Sequence, residues 1–182
     1  DTQYKDRTNR GEVMDHVYDD FVFVLQNMRN DDGANVLNKY VAASFISRLM
    51  LFEGSWQKYH GLDQAKAKKY LELAQSAAEI VMNSGKFSFT SDFKSLFSSQ
   101  DLNSNKEVIL YRKYDPSVNV FHAIGSYQNG IEAQATAPNL TLIKEFICVD
   151  SKPFASSTVE NATDFSLANL AKTRDPRFEA SF

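Results

Sequence analysis

Residues 38–87 read NKYVAASFISRLMLFEGSWQKYHGLDQAKAKKYLELAQSAAEIVMNSGKF, and their periodicity decides the fold class. Before the glycine-containing break HGLD, Val41, Phe45, Leu49, Phe52 and Trp56 recur at spacings of three and four, which makes one stripe of a helix. Ala42, Ala43 and Ser44 keep the opposite side small, so a neighbouring helix can approach closely there. After the break, Ala67, Tyr70, Ala74, Ala77, Ala78 and Val81 mark the inward side of a second helix, with Lys66, Lys68 and Lys69 on its wet side. This helix is expected from Asp63 to Ser84, and Gly85 is placed to end it in the left-handed conformation that glycine enters without steric cost. The stretch therefore predicts a helical hairpin.

Upstream, TNRGEVMDHVYDDFVFVLQNM carries Val13, Val17, Phe21, Val24, Leu25 and Met28 on one helical face, with Thr8 or Asn9 as the cap and NDDG at 30–33 as the stop. Downstream the texture changes. KFSFTSDFKSLF alternates aromatic and polar residues, which predicts an extended piece followed by a turn of helix, and EVILYRKY at 107–114 predicts a strand. Residues 115–138 show no sustained period and read as a long loop, the kind of segment that often carries function. A short helix is expected from Asn139 and a helical turn before TRDPRF. The fold class is then mostly α, with long loops and one or two short strands. A helical scaffold is expected over 8–86 and a loop-rich, ligand-side portion over 87–182, within a single unit spanning 1–182.

Composition narrows the function classes. A chain of 182 residues, 43% hydrophobic and 13% aromatic, can bury a sizeable core. Twenty basic against 23 acidic side chains leave a net charge of −3 without like-charge blocks, which argues against nucleic acid as a partner, because that affinity comes mainly from neutralising phosphates. The sequence has no apolar run long enough to cross a bilayer. The opening DTQYKDRTNR is polar, lacks an initiator Met and lacks the layout of a signal peptide, so an internal start is expected. The single cysteine, Cys148, excludes an internal disulfide, and its setting in FICVD predicts a buried small hydrophobe.

The order of these pieces is similar to one known family. An acidic amphipathic helix is followed by an alanine-rich helix pair ending VMNSGKF, then SDFKSLF, NKEVILYRKYD and RDPRF. In this order they resemble the SusD/RagB family of bacterial outer-membrane nutrient-binding lipoproteins. The resemblance is carried by Ala74–Lys86, Phe93–Phe97, Glu107–Leu110 and Asp175–Arg177, and it extends over Thr8–Phe178. Family chains are longer and begin with a lipidated cysteine, so this chain looks like a central portion. The resemblance implies a scaffold of helix pairs similar to tetratricopeptide repeats, which bury their faces against neighbours. It further implies capture of an oligosaccharide or peptide at the cell surface without catalysis, a partner transporter of the SusC-like TonB-dependent type, and membrane attachment through a lipid anchor outside this chain. The alternative from a different class is a helical-repeat protein-interaction scaffold with no small ligand, whose helix faces would carry an exposed apolar patch.

The residues themselves give catalysis little foothold. His16, His60 and His122 lie far apart and form no helical pair for zinc. Asp15 and Asp19 share a helical face, but their expected role is a solvated helix side. There is no Gly-x-Ser-x-Gly elbow and no phosphate loop, and neither a cofactor nor a metal is expected. DLNSNKEVILYR offers Asp101, Asn103 and Asn105 at calcium-loop spacing, yet Lys106 replaces the turn glycine and Arg112 the closing carboxylate, which decides against that geometry. A sugar or peptide site needs aromatic faces bordered by amides and hydroxyls. Two stretches supply them. One is RKYDPSVNVFHAIGSYQNG, with Arg112, Tyr114, Asn119, Phe121, His122, Tyr127, Gln128 and Asn129 as candidate contacts. The other is WQKYH, with Trp56, Tyr59 and His60, where core packing is the expected role of Trp56. The sequons at Asn139 and Asn161 are read as chance, because the family that the chain resembles is bacterial.

Overall fold

The computed structural model describes residues 6–123 and 138–182, and within them the chain is mostly helical. Seven α-helices are present among the described residues: α1 (Arg10–Asn27), α2 (Lys39–Tyr59), α3 (Gln64–Met82), α4 (Phe93–Ser98), α5 (Leu140–Glu145), α6 (Leu167–Thr173) and α7 (Pro176–Ser181). Six of them start on an Asn or Asp whose carboxylate or amide oxygen accepts from a first-turn N–H: Asn9, Asn38, Asp63, Asp92, Asn139 and Asp175. The starts are thus encoded locally. Two compact units divide the chain, one of residues 1–90 with 101–111 and one of residues 91–100 with 112–182.

In the first unit α2 and α3 form the expected hairpin, and α1 lies against both. Their shared core is Ala43, Ile46, Met50, Tyr70, Leu73, Ala74 and Ala77, flanked by Met14, Val17, Tyr18, Phe21 and Leu25 of α1. Each large member contributes about 2 kcal/mol by leaving water. The face of α3 is the one its spacing predicts. The face of α2 is not. Phe45, Leu49, Phe52 and Trp56 are exposed, and the buried side is Val41, Ala43, Ile46, Met50, Glu53, Gly54 and Gln57. Core packing of Trp56 is corrected with them. The reason is backbone approach: a Cβ on Gly54 would stand 2.7 Å from Leu71 Cγ and 3.1 Å from the Ala67 carbonyl oxygen. A helix this close needs the small residues of α2 at the contact, which turns the large apolar stripe outward.

Two polar clusters tie α1 to the hairpin. Arg10 donates from Nε and Nη2 to Glu53, with the Nη2 bond at 2.6 Å, and Gln57 donates to the same carboxylate at 2.8 Å. Glu53 is 2% exposed; burial pushes its pKa up, but the Arg10 and Gln57 hydrogen bonds outweigh this and hold it below the ordinary value. Asp15, expected on a solvated side, instead meets Lys66 at 2.8 Å, Lys69 at 3.2 Å and the Tyr70 hydroxyl at 2.9 Å. The Lys66 contact, chiefly, lowers its pKa to about 2.

Arg10→Ala leaves Glu53 buried with only Gln57 to solvate it, and a loss of about 2 kcal/mol at neutral pH is expected from urea denaturation. The sign with pH follows. In the native chain the Glu53 contribution is present above the unfolded value of 4.5 and fades as pH falls through the lower folded value. Without Arg10 the folded value rises instead, so the gap between variant and parent should shrink on acidification. A gap that widens toward pH 4 would contradict the clamp.

The second unit is built from short elements around Cys148, Ala162, Leu170 and Phe178. Cys148 is buried, as its apolar setting predicts. Phe146 stands edge-on to Phe178 at 5.5 Å, and Phe154 to Phe165 at 5.3 Å. The late Asp-Pro-Arg run has a plain local meaning: Asp175 caps α7 by accepting from the Arg177 N–H, Pro176 opens the first turn, and the Arg177 guanidinium closes on Asp175 at 2.7 Å. The strand predicted at 107–114 is absent, and there is no strand among the described residues, only isolated bridges at Asp115–Val120 and Cys148–Arg174. The reason lies in the neighbours. Among the described residues no parallel or antiparallel partner runs beside 107–114; its backbone is held by side chains and turns instead, such as Tyr111 N–H donating to Asn35 Oδ1 at 2.8 Å.

Candidate functional site

Three separated segments of the first unit converge on one cleft of about 510 Å³. The loop before α2 is shaped by Gly33 (φ 103°) and Asn35 (φ 55°), both left-handed, and ends at Asn38, whose buried Oδ1 caps α2 by accepting from the Tyr40 and Val41 N–H groups. The start of α2 and the segment after α3 bring Tyr40 and Phe87 together edge-to-face at 6.1 Å. The third wall is the turn at 102–106, with Ser104 in the left-handed region, continued by Val108, Ile109 and Tyr111. Ser88 N–H donates to the Lys106 carbonyl at 3.1 Å and Thr90 N–H to Glu107 Oε2 at 2.7 Å, which fastens this turn to the segment after α3.

Two of the three charged residues that line the cleft are spent on each other. Lys86 pairs with Asp31 and lies over the Tyr40 ring, 5.6 Å from its centre. The Lys86 hydrogen bond, followed by the Gly33 N–H, holds the Asp31 carboxyl below its usual range, and Asp31 in turn raises the Lys86 ammonium. Apart from the exposed Lys106, what lines the opening is neutral: the amides of Asn35, Asn103 and Asn105, the Ser104 hydroxyl, and the rings of Tyr40, Phe87 and Tyr111. Asn35 and Asn105 use their carbonyl oxygens on the Tyr111 and Glu107 N–H groups, which fixes the direction in which each NH₂ points. Such a set can replace water for a neutral hydroxyl-bearing ligand and stack on its C–H faces.

The residues chosen from sequence fall elsewhere. Arg112, Tyr114 and His122 do come together in the second unit: the guanidinium lies 5.4 Å from the Tyr114 ring centre, and the Tyr114 and His122 rings meet edge-on at 4.8 Å. The turn that brings them together is closed by paired bonds between Asp115 and Val120, with Asp115 capping a 3-10 turn at Pro116–Val118 and Asn119 in the left-handed region. Asn119 serves the turn through its backbone N–H, and Phe121 is exposed beside it. Tyr127, Gln128 and Asn129 lie outside the described residues. Trp56 and His60 meet as tilted rings with centres 4.0 Å apart on the outer side of α2, with Tyr59 exposed.

Sequence reasoning did not select the cleft because no local pattern announces it. The one signal was DLNSN, read against a calcium loop; Asp101 and Asn105 instead turn their oxygens onto the Asn103 and Glu107 N–H groups. No group of three or more His, Cys, Asp or Glu among the described residues is arranged to hold a metal ion, and no described helix is long and apolar enough to cross a membrane. No family model, curated protein or solved structure matches this chain.

Proposed function

We propose that this chain is part of a non-enzymatic nutrient-binding protein of the SusD/RagB type, which captures neutral oligosaccharides at the bacterial outer-membrane surface and passes them to a SusC-like TonB-dependent transporter. Capture, partner, lipid anchoring and location come from the order of sequence pieces that resembles that family. The α2–α3 hairpin is the kind of element that a tetratricopeptide-like scaffold repeats. The observation that carries the binding reading is the cleft itself, where three amides and three rings line the opening and the one cation over a ring is already neutralised by Asp31. Affinity would come from stacking and a polar rim, with little dependence on salt.

Calorimetry against a panel of neutral oligosaccharides tests it. Binding in the micromolar to millimolar range is expected, with Tyr40→Ala and Asn103→Ala each weakening it about tenfold, the equivalent of 1.4 kcal/mol. Saccharide binding that ignores both variants but falls with Tyr114→Ala would move the site to the Arg112–His122 cluster. Peptide binding with no response to any saccharide would replace the ligand class.

A further inference from the structure

Three amides at the cleft share one arrangement: each has committed its oxygen to the backbone and kept its nitrogen. Asn35 Oδ1 accepts from the Tyr111 N–H at 2.8 Å, and Asn105 Oδ1 from the Glu107 N–H at 2.9 Å. Asn38 Oδ1 accepts from the N–H groups of Tyr40 at 3.0 Å and Val41 at 3.1 Å. All three residues line the cleft, and their NH₂ groups have no acceptor among the described residues. Asn38 is only 9% exposed, so its NH₂ meets little bulk water and gains most from an acceptor brought into the cleft.

The acceptors of the cleft are in the opposite position. The Asp31 carboxylate is taken by Lys86 and by the Gly33 N–H, and the oxygens of the three amides by the backbone. Donors are therefore in excess, and the exposed Lys106 ammonium adds to them. A sugar hydroxyl suits such a wall poorly: it can accept, but its own O–H then needs an acceptor once water has left. A carbonyl oxygen suits it well, because it accepts through both lone pairs and has no hydrogen to place. On the reading of this cleft as a saccharide site, we infer that it selects oligosaccharides carrying acetamido groups, whose carbonyl oxygen takes the NH₂ donors of Asn35, Asn38 and Asn105. The rest of the group has its place as well. The methyl meets the apolar lining of Phe87, Val108 and Ile109, and the N–H donates to the Asn103 side chain, which holds no partner among the described residues. A uronate offers similar oxygens, but Lys86 is already neutralised by Asp31, which leaves the exposed Lys106 alone to offset the lost hydration of its charge.

Two β-1,4-linked tetrasaccharides isolate the difference, because chitotetraose carries acetamido groups where cellotetraose carries hydroxyls. Calorimetry on the full chain should show chitotetraose binding at least about tenfold tighter than cellotetraose. Asn35→Asp and Asn38→Asp each retain the oxygen that the backbone uses and replace the NH₂ with a second oxygen. Aspartate caps a helix as well as asparagine does, so α2 keeps its start in the second variant. Each variant should weaken chitotetraose binding at least about tenfold, change cellotetraose binding about threefold or less, and leave the far-ultraviolet spectrum as it is. Equal affinity for the two tetrasaccharides, tighter binding of tetragalacturonate than of chitotetraose, or chitotetraose binding that ignores both variants would each overturn the inference and leave saccharide capture in place. Absence of binding to any saccharide would overturn both.

Discussion

Gly54→Leu is expected to destabilise the first unit by about 3 kcal/mol, near the upper end for overpacking a tight contact. The added side chain has nowhere to go: the first atom alone meets Leu71 Cγ at 2.7 Å and Cδ2 at 2.9 Å, with the Ala67 carbonyl behind them at 3.1 Å. Leu71 would have to leave its rotamer and α3 would have to move away from α2, opening the layer formed by Met50, Tyr70 and Ala74. Gly54→Ala separates the contact from propensity. Alanine brings about 1 kcal/mol of helix preference over glycine, so a net loss of about 1 kcal/mol in that variant would report a contact term of roughly twice that size. Chemical denaturation followed by circular dichroism gives both values. A stabilised Gly54→Ala would show that the hairpin does not need this close approach.

The other large effect is expected at Arg174. Its side chain is 2% exposed, yet among the described residues no carboxylate forms an ion pair with it. The guanidinium is held instead by neutral groups: Nη1 donates to Thr173 Oγ1 at 2.9 Å and to Cys148 Sγ at 3.4 Å, Nη2 donates to the Ala162 carbonyl at 3.0 Å, and the Phe165 ring lies 5.3 Å away. One fork thereby joins the segments at 148, 162 and 173 in the interior of the second unit. Arg174→Ala removes the fork and leaves both a cavity and an unmet buried carbonyl, for a loss of about 3 kcal/mol.

Cys148 is the natural probe, being the only cysteine and buried against that fork. Its labelling by a thiol reagent should quicken by about a hundredfold, since each 1.4 kcal/mol is a factor of ten in the open population. Arg174→Met retains the stem and sheds the charge, so it should recover much of the loss. Labelling of Arg174→Ala at the parent rate would mean that the fork holds nothing together.

Much of this fold is written locally. The helix starts are Asn and Asp residues whose oxygens reach the first-turn N–H groups, and α1, α3 and the short helices after Asp92, Asn139 and Asp175 begin where those residues stand. The inward side of α3 follows from one alanine-rich stripe, because its other faces are polar and there was one way to bury it. For α2 the pattern is ambiguous, since both the small-residue side and the aromatic side repeat at helical spacing. A periodicity argument favours the larger residues. The folded chain favours the smaller ones, because Gly54 and Ala43 admit α3 and a bulky stripe would hold it off. The extended character of 107–111 was equally legible, but pairing into a sheet requires a partner strand, and Asn35 supplies a single side-chain acceptor instead.

By itself, then, the sequence determined that this chain is mostly helical, where α1, α3 and α5 begin, and that Cys148 is buried. Those are properties of spacing and of single residues, settled within a few positions along the chain. Only the tertiary structure decided which side of α2 is buried, that Asp15 binds Lys66 and Tyr70 across helices, and that residues 31–40, 86–87 and 102–111 share one cleft. Each of those depends on distances between segments far apart in sequence, and such distances are set by how closely two backbones approach. No local pattern carries that information.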